Sequence, residues 1–147
     1  VPMVYAGQEI GQRGRRDPIA WDHTREEVRE RYEQLLATRA DHSALGPNAD
    51  LDRVGYHVAS GDLSERPIVA SGNIHPDDVV AFCRRSDEES LIVLLNFAPD
   101  DASVAVDVEH GDTNLVTDEP SVVVDGDGTE RIRVQDVAIV HTETKQH

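Results

Sequence analysis

The chain has 147 residues, of which 38% are hydrophobic and 4% aromatic, and its formal net charge is −15. This length holds one domain, or a small domain and part of another, with a core built mainly of Val, Leu, Ile and Ala. The negative charge argues against nucleic acid and anionic membranes as partners, because such a field repels phosphate groups.

The first eleven residues, VPMVYAGQEIG, pass from apolar and small side chains into a Gly-Gln-Glu sequence. This order is typical of a buried strand that ends in a functional loop. Gly7, Gly11 and Gly14 lack the spacing of a dinucleotide-binding loop. We expect them to give this loop its backbone freedom.

A helix is predicted from about Arg25 to Asp41. Thr24 and Glu27 have the spacing of a capping box, in which each side chain accepts a hydrogen bond from a free backbone N–H of the first turn. An apolar stripe at helical spacing follows. Its members are Val28, Tyr32, Leu35 and Leu36.

Short strands are predicted from about residue 53 onward, because runs of β-branched residues alternate with turn formers. The predicted strands are RVGYHV, DVVAFCRR, ESLIVLLNF, SVAVDV, SVVVD, ERIRV and VAIVH. SVAVDV alternates as a half-buried antiparallel strand does, with Val104, Val106 and Val108 on one face. LIVLLNF is apolar almost throughout and is expected at the centre of a sheet. Together the strands predict a small antiparallel sandwich or barrel.

The connections between these strands carry turn formers. Asp125 to Thr129 is predicted to be a hairpin turn. Residues 48–52 and 59–67 are predicted to be loops.

Two acidic motifs invite interpretation as metal sites, but each has a simpler explanation. His75, Asp77 and Asp78 lie in HPDD, a Pro-containing stretch that is more typical of a solvated loop. Asp125 and Asp127, in DGDG, resemble a fragment of a calcium loop whose distal Glu and other ligands are missing. Among 29 acidic residues some carboxylates lie close by chance, so no metal site and no catalytic residue is predicted.

The acidic residues are spread along the chain, and Lys145 is its single lysine. Concentrated salt screens their repulsion, since the Debye length falls to about 3 Å at 1 M. Acid-rich, lysine-poor surfaces resemble those of proteins from salt-loving archaea; the alternative is an ordinary acidic protein. Cys83, the one cysteine, lies in the apolar run VVAFC and is expected to be a buried, unreactive thiol.

Three motifs follow one another in the first 45 residues. They are VPMVYAGQEIG with Pro2, Tyr5, Gly7 and Glu9, then RRDPIAWD with Arg16, Pro18 and Trp21, then a helix with Leu35, Arg39, Ala44 and Leu45. In this order they resemble the last strand, the next loop and the last helix of the catalytic barrel in the α-amylase superfamily of glycoside hydrolases. The family pattern is broken by Ser43, where Pro is usual.

The second half resembles, less sharply, the small β-sandwich that follows this barrel. The resemblance thus implies an α+β fragment, in which residues 1–50 are the last strand and helix of a (β/α)8 barrel and residues 51–147 are an all-β antiparallel sandwich. It further implies the C-terminal portion of a glycosidase, from a halophilic archaeon, that hydrolyses α-glucosidic bonds in starch-like glucans by a retaining mechanism. The family's three catalytic carboxylates precede the last barrel strand, so none is expected in this chain.

The resemblance also implies a role for the first segment at the rim of the substrate cleft, because loops after barrel strands open on the catalytic face. The candidate glucan-binding residues are Gln8, Glu9, Arg16, Trp21 and Asp22. Trp21 is expected to stack on a sugar ring. The alternative is that Trp21 packs the loop against the barrel and that Glu9 is buried in an ion pair. No cofactor is expected in this chain, and the resemblance allows calcium in the complete enzyme.

Two other functions stay open on the sequence. A non-catalytic carbohydrate-binding or interaction module would present a row of exposed aromatic residues, but Phe82 and Phe97 lie in apolar strands and are expected in the core. A glucan transferase of the same superfamily would differ in loops that this sequence does not contain. The compartment, cytoplasmic or secreted, is likewise open.

Overall fold

The computed structural model describes residues 8–12, 21, 24–59 and 78–143. Within these ranges one α-helix, α1, spans Glu26–Asp41, between short 3-10 helices at Gln8–Ile10 and Ser43–Leu45. The strands are β1 Asp50–Arg53, β2 Tyr56–Val58, β3 Val79–Arg85, β4 Ser90–Asn96, β5 Ala102–Val106, β6 Thr113–Asn114, β7 Glu119–Pro120, β8 Val122–Val124, β9 Glu130–Val134 and β10 Val137–His141. The described helix is neither long nor apolar enough to cross a bilayer.

Two four-stranded antiparallel sheets form the body of the described part. The first sheet has the strand order β1-β3-β4-β10, and the second has the order β2-β5-β9-β8. β6 and β7 form a separate two-stranded ribbon. These antiparallel sheets agree with the predicted all-β sandwich, whereas residues 1–7, which hold most of the predicted barrel strand, lie outside the described residues.

The main hydrophobic core lies between the two sheets. Alternate residues of β3, β4, β5, β9 and β10 point into it, because successive side chains of a strand face opposite sides of a sheet. The fully buried members are Ile92, Leu94, Ala102, Val104, Ile132, Val134, Ala138 and Val140. Val106 and Val108 pack against the same core as Val104, which confirms the alternation predicted for SVAVDV.

A second hydrophobic cluster lies on the outer face of the first sheet. Leu91 and Val93 of β4 point into this cluster, together with Ile139 of β10 and Ala44 from the short helix after α1. Leu35 of α1 packs against it. β4 is therefore buried on both faces, which explains its almost continuous apolar sequence. The helix is thus joined to the sandwich by packing.

The predicted capping box at the start of α1 is wrong. Arg25 is the N-cap residue and forms no side-chain cap hydrogen bond. Thr24 lies one position too early, and its hydroxyl donates to the carbonyl oxygen of Trp21 at 2.7 Å instead. Glu27 accepts a hydrogen bond from Nε of Arg25 at 3.0 Å. The expected apolar stripe is also only partly buried, since 43% of Leu36 is exposed.

Two strand-related expectations also need correction. The loop predicted at residues 48–52 becomes a strand at Asp50, because β1 pairs with β3. Phe97 is 72% exposed and lies outside the core, since it follows the last residue of β4. Phe82 does pack against the second cluster. The other predicted loop, at residues 59–67, lies outside the described residues after residue 59.

The predicted hairpin turn between β8 and β9 is confirmed. The backbone N–H of Asp125 donates to the carbonyl oxygen of Thr129 at 2.9 Å, and the carboxylate of Asp127 accepts from the N–H of Thr129 at 2.9 Å. Gly128 has a φ of 86°, which a residue without Cβ adopts without strain. These bonds explain the DGDG sequence without a calcium ion.

Cys83 is buried on β3, as predicted. Burial raises the pKa of its thiol, because a low-dielectric surrounding disfavours the thiolate. The thiol is thus poorly suited to act as a nucleophile.

Candidate functional site

Gln8, Glu9 and Trp21 are the predicted glucan-binding residues that the structure describes. Arg16 and Asp22 lie outside the described residues. Gln8 and Glu9 belong to the first 3-10 helix, and Trp21 precedes α1. His75 and Asp77 of the HPDD motif are also outside the described residues.

The short helix that carries Gln8 and Glu9 is held against the start of α1. Ile10 is 2% exposed, and its carbonyl oxygen accepts from the N–H of Arg25 at 3.1 Å. Gly11 turns the chain back with a φ of 72°, and its N–H donates to the carbonyl oxygen of Gln8 at 3.1 Å. A Cβ at Gly11 would lie 2.9 Å from Cδ of Arg25, so glycine suits both the conformation and the close approach.

Glu9 has a buried carboxylate oxygen. Its Oε2 atom finds no hydrogen-bond partner within the described part of the chain. Leaving a carboxylate oxygen buried and unpaired costs free energy, which favours a donor supplied from elsewhere. The alternative expectation was that Glu9 is buried in an ion pair. Among the described residues, no cationic partner contacts Oε2 of Glu9.

Trp21 is 62% exposed, and its backbone carbonyl is held by the hydroxyl of Thr24. Its indole is therefore not packed away by the described residues. Exposed aromatic faces of this kind can stack on the apolar face of a sugar ring. Together, Glu9 and Trp21 offer one polar and one aromatic contact near the start of α1.

A second group of polar side chains lies at the other end of α1 and was not predicted. Nδ1 of His42 lies 2.9 Å from Oε2 of Glu89. The ring of His141 meets that of His42 edge-on, with 5.7 Å between the ring centroids. The three residues are far apart in the sequence and follow no ligand motif, so only the folded sheet reveals their proximity.

Glu89 is the centre of this group. Its Oε1 atom accepts from the backbone N–H of Ala44 at 3.0 Å and from the hydroxyl of Ser43 at 3.4 Å. Burial raises the pKa of Glu89, but the hydrogen bonds from His42 and from Ala44 outweigh that effect and hold the pKa below its usual range. Glu89 is therefore an anionic carboxylate at neutral pH, fixed in orientation.

Comparison of the sequence with known proteins tests the resemblance to the α-amylase superfamily. The chain is 36% identical, over 138 residues, to the Alpha-amylase MalA of Haloarcula japonica. The similar region covers 94% of this chain and 19% of that relative, so the chain spans less than a fifth of the relative's length. No protein-family model matches the sequence. The predicted resemblance is confirmed: this chain is similar, over almost its whole length, to part of an α-amylase from a halophilic archaeon.

Proposed function

We propose that this chain is the C-terminal part of an α-amylase-type glycoside hydrolase that cleaves α-glucosidic bonds in starch-like glucans. The observation that carries the proposal is the 36% identity to an archaeal α-amylase along 94% of the chain. In this proposal residues 1–50 are the end of the catalytic barrel and residues 51–147 are the sandwich that follows it. The two antiparallel sheets support the second assignment.

We further propose that the catalytic carboxylates belong to a part of the enzyme other than this chain. Retaining hydrolysis needs two carboxyl groups about 5–5.5 Å apart, held on either side of the scissile bond. In a barrel enzyme such groups come from the C-terminal ends of several different strands. Residues 1–50 would supply at most one such strand, so the chain alone is expected to be inactive.

The role proposed for the first segment is to bind glucan at the rim of the cleft. Glu9, whose side chain is half-buried beside the start of α1, would accept a hydrogen bond from a sugar hydroxyl. The exposed indole of Trp21 would stack on the ring of a neighbouring sugar. Gln8, Arg16 and Asp22 are proposed as further polar contacts of the same rim.

A chimaeric enzyme tests this function. The matching stretch of the Haloarcula japonica α-amylase is replaced by this chain, and hydrolysis of soluble starch is measured in concentrated salt. We expect the chimaera to be active, the Trp21→Ala chimaera to have a raised KM for starch, and the isolated chain to be inactive. Leu51→Ala, which removes an equally exposed side chain from β1, is the matched control and should leave KM unchanged. Starch hydrolysis by the isolated chain would overturn the assignment of the catalytic groups.

A second candidate function, a starch-binding surface on the sandwich, is favoured by one observation. Phe97, just beyond β4, is 72% exposed, so its ring is open to stacking on a sugar. Retention of the isolated chain on immobilised starch, lost on Phe97→Ala and kept on Trp21→Ala, would favour this candidate. Loss on Trp21→Ala alone would favour the cleft rim.

A further inference from the structure

We propose that His42, Glu89 and His141 together bind one divalent transition-metal ion, with Zn²⁺ the best match to their chemistry. One donor atom from each of these residues lies within 4.8 Å of the donor atoms of the other two. This inference rests on the group at the C-terminal end of α1 and is independent of the glycosidase assignment.

The spacing of the donor atoms suits a small tetrahedral ion. Zinc bonds of about 2.0–2.2 Å place the ligand atoms of a tetrahedral site about 3.3–3.6 Å apart. The observed spacings begin at 2.9 Å, between Nδ1 of His42 and Oε2 of Glu89, and do not exceed 4.8 Å. They bracket the required value, and His141 is exposed and can adjust its rotamer without disturbing the core.

The identity of the donors selects the class of metal. Two imidazole nitrogens and one carboxylate oxygen are typical of zinc sites, whereas Ca²⁺ and Mg²⁺ take oxygen ligands. Three protein ligands leave a fourth position for water. The formal net charge of −15 adds a general attraction for cations.

Hydrogen bonds to Glu89 hold its carboxylate in a fixed orientation, as binding of a metal ion requires. Oε1 is held by the N–H of Ala44 and the hydroxyl of Ser43, so the carboxylate cannot rotate freely. The hydroxyl of Ser43 also lies 2.7 Å from that of Ser86. Such outer hydrogen bonds fix the direction of a metal-binding carboxylate and contribute to affinity.

The positions of the ligands in the fold suggest what the ion does. His42 is the C-cap residue of α1, Glu89 directly precedes β4, and His141 ends β10. An ion bound by all three would join the end of the helix to two neighbouring strands of the first sheet. Such an ion would thereby fasten the end of the helix to the sandwich.

Isothermal titration of the untagged chain with Zn²⁺, in concentrated salt, tests the site directly. We expect saturable binding of one equivalent, and intense visible absorption from tetrahedral Co²⁺ when cobalt replaces zinc. Loss of an outer partner of a zinc ligand typically weakens binding about 10- to 100-fold, so loss of a direct ligand in His141→Ala or Glu89→Gln should weaken it at least about tenfold.

The matched control is His57→Ala, which removes an exposed histidine from β2 in the second sheet. It should bind Zn²⁺ as the unaltered chain does, and all variants are first compared by circular dichroism. If Glu89→Gln is misfolded, the test rests on His141→Ala. The side chain of His141 is exposed, so its removal is not expected to disturb folding. Absence of saturable Zn²⁺ binding, or equal weakening in His57→Ala and His141→Ala, would overturn the proposal.

Discussion

Arg31 of α1 and Asp136, the residue before β10, form a two-point ion pair. Nε of Arg31 donates to Oδ2 of Asp136 at 2.8 Å, and Nη2 of Arg31 donates to Oδ1. The two residues are 105 positions apart, so the pair connects the helix to the far end of the chain. Parallel bonds of this kind are the stronger form of an arginine–carboxylate interaction. Together with the packing of Leu35, the pair fixes α1 on the first sheet.

Arg31→Ala is expected to destabilise the chain. A partly exposed ion pair with two hydrogen bonds contributes about 1 kcal/mol to the free energy of unfolding. Arg29→Ala removes a more exposed pair with Glu33 on the same helix and should cost less than about 0.5 kcal/mol. Urea unfolding followed by circular dichroism measures both. An equal decrease in the free energy of unfolding in the two variants would contradict the prediction that the pair of Arg31 and Asp136 stabilises the fold more than an exposed pair does.

The stability that Asp136 provides should depend on pH. Partial burial raises the pKa of Asp136, but the hydrogen bonds from Arg31 and from the N–H of Val137 outweigh it and leave the pKa below its ordinary value. A carboxyl group with a lowered pKa stabilises the folded state above its unfolded pKa of about 3.9, and this contribution is lost as pH falls through the folded pKa.

Comparison of Asp136→Asn with the unaltered chain isolates this effect. The variant should be less stable at pH 7, and the difference should shrink as the pH falls below about 4. Changes in the overall charge affect both chains almost equally and cancel in the difference. Urea midpoints at a series of pH values measure it, and a difference that grows toward acid pH would contradict the prediction.

The sequence predicted the strands better than their arrangement. The unbroken apolar run of β4 indicated a central strand, and the spacing of Val104, Val106 and Val108 identified the side of β5 and of the residues after it that faces the core, because both are local patterns. Which sheet a strand joins depends on contacts between distant residues, which no local pattern contains. The capping box failed for a local reason, since Thr24 precedes the N-cap position by one residue.

The candidate sites divide in the same way. Glu9 and Trp21 are predicted through their places in motifs that resemble those of the α-amylase superfamily, and their role stays a prediction. His42, Glu89 and His141 belong to no motif, and they meet only because α1 packs on the face of the sheet where β4 and β10 run side by side. Sequence spacing can therefore predict a site whose residues lie close together in the chain. It misses a site whose residues come from three separate elements.

Salt should stabilise the chain strongly. A formal net charge of −15 on 147 residues produces self-repulsion that compactness increases. Raising the salt concentration from 0.1 M to 1 M shortens the Debye length from about 10 Å to about 3 Å and removes most of the repulsion between exposed carboxylates. The thermal midpoint should therefore rise across this range in NaCl. A thermal midpoint that stays constant or falls as salt is added would show that repulsion between acidic residues does not limit the stability of the chain.

Asn96 is expected to be the buried polar residue least tolerant of an added charge. It is 7% exposed at the end of β4, and its Nδ2 lies within hydrogen-bonding distance of the carbonyl oxygens of Asp100, Val134 and Gln135. Its Oδ1 accepts from the N–H of Ala98 at 3.0 Å. Asn96→Asp keeps the shape but turns the donor into an anion that faces carbonyl oxygens. We expect a loss of at least about 2 kcal/mol at pH 7, since a buried group is left without its partners and charged.

The pH dependence of Asn96→Asp distinguishes this cause from a loss of packing. A protonated carboxyl group can donate again, so its folded pKa is expected to be raised and the destabilisation should be small at acid pH. It should grow as the pH rises through the unfolded pKa of about 3.9, because only the folded state disfavours the charge. Asn48→Asp, at an exposed position after Pro47, makes the same chemical change without burial and should alter stability little at any pH. If urea unfolding shows Asn96→Asp to be as stable as the Asn48→Asp control at pH 7, then Nδ2 of Asn96 does not hold the three carbonyls together.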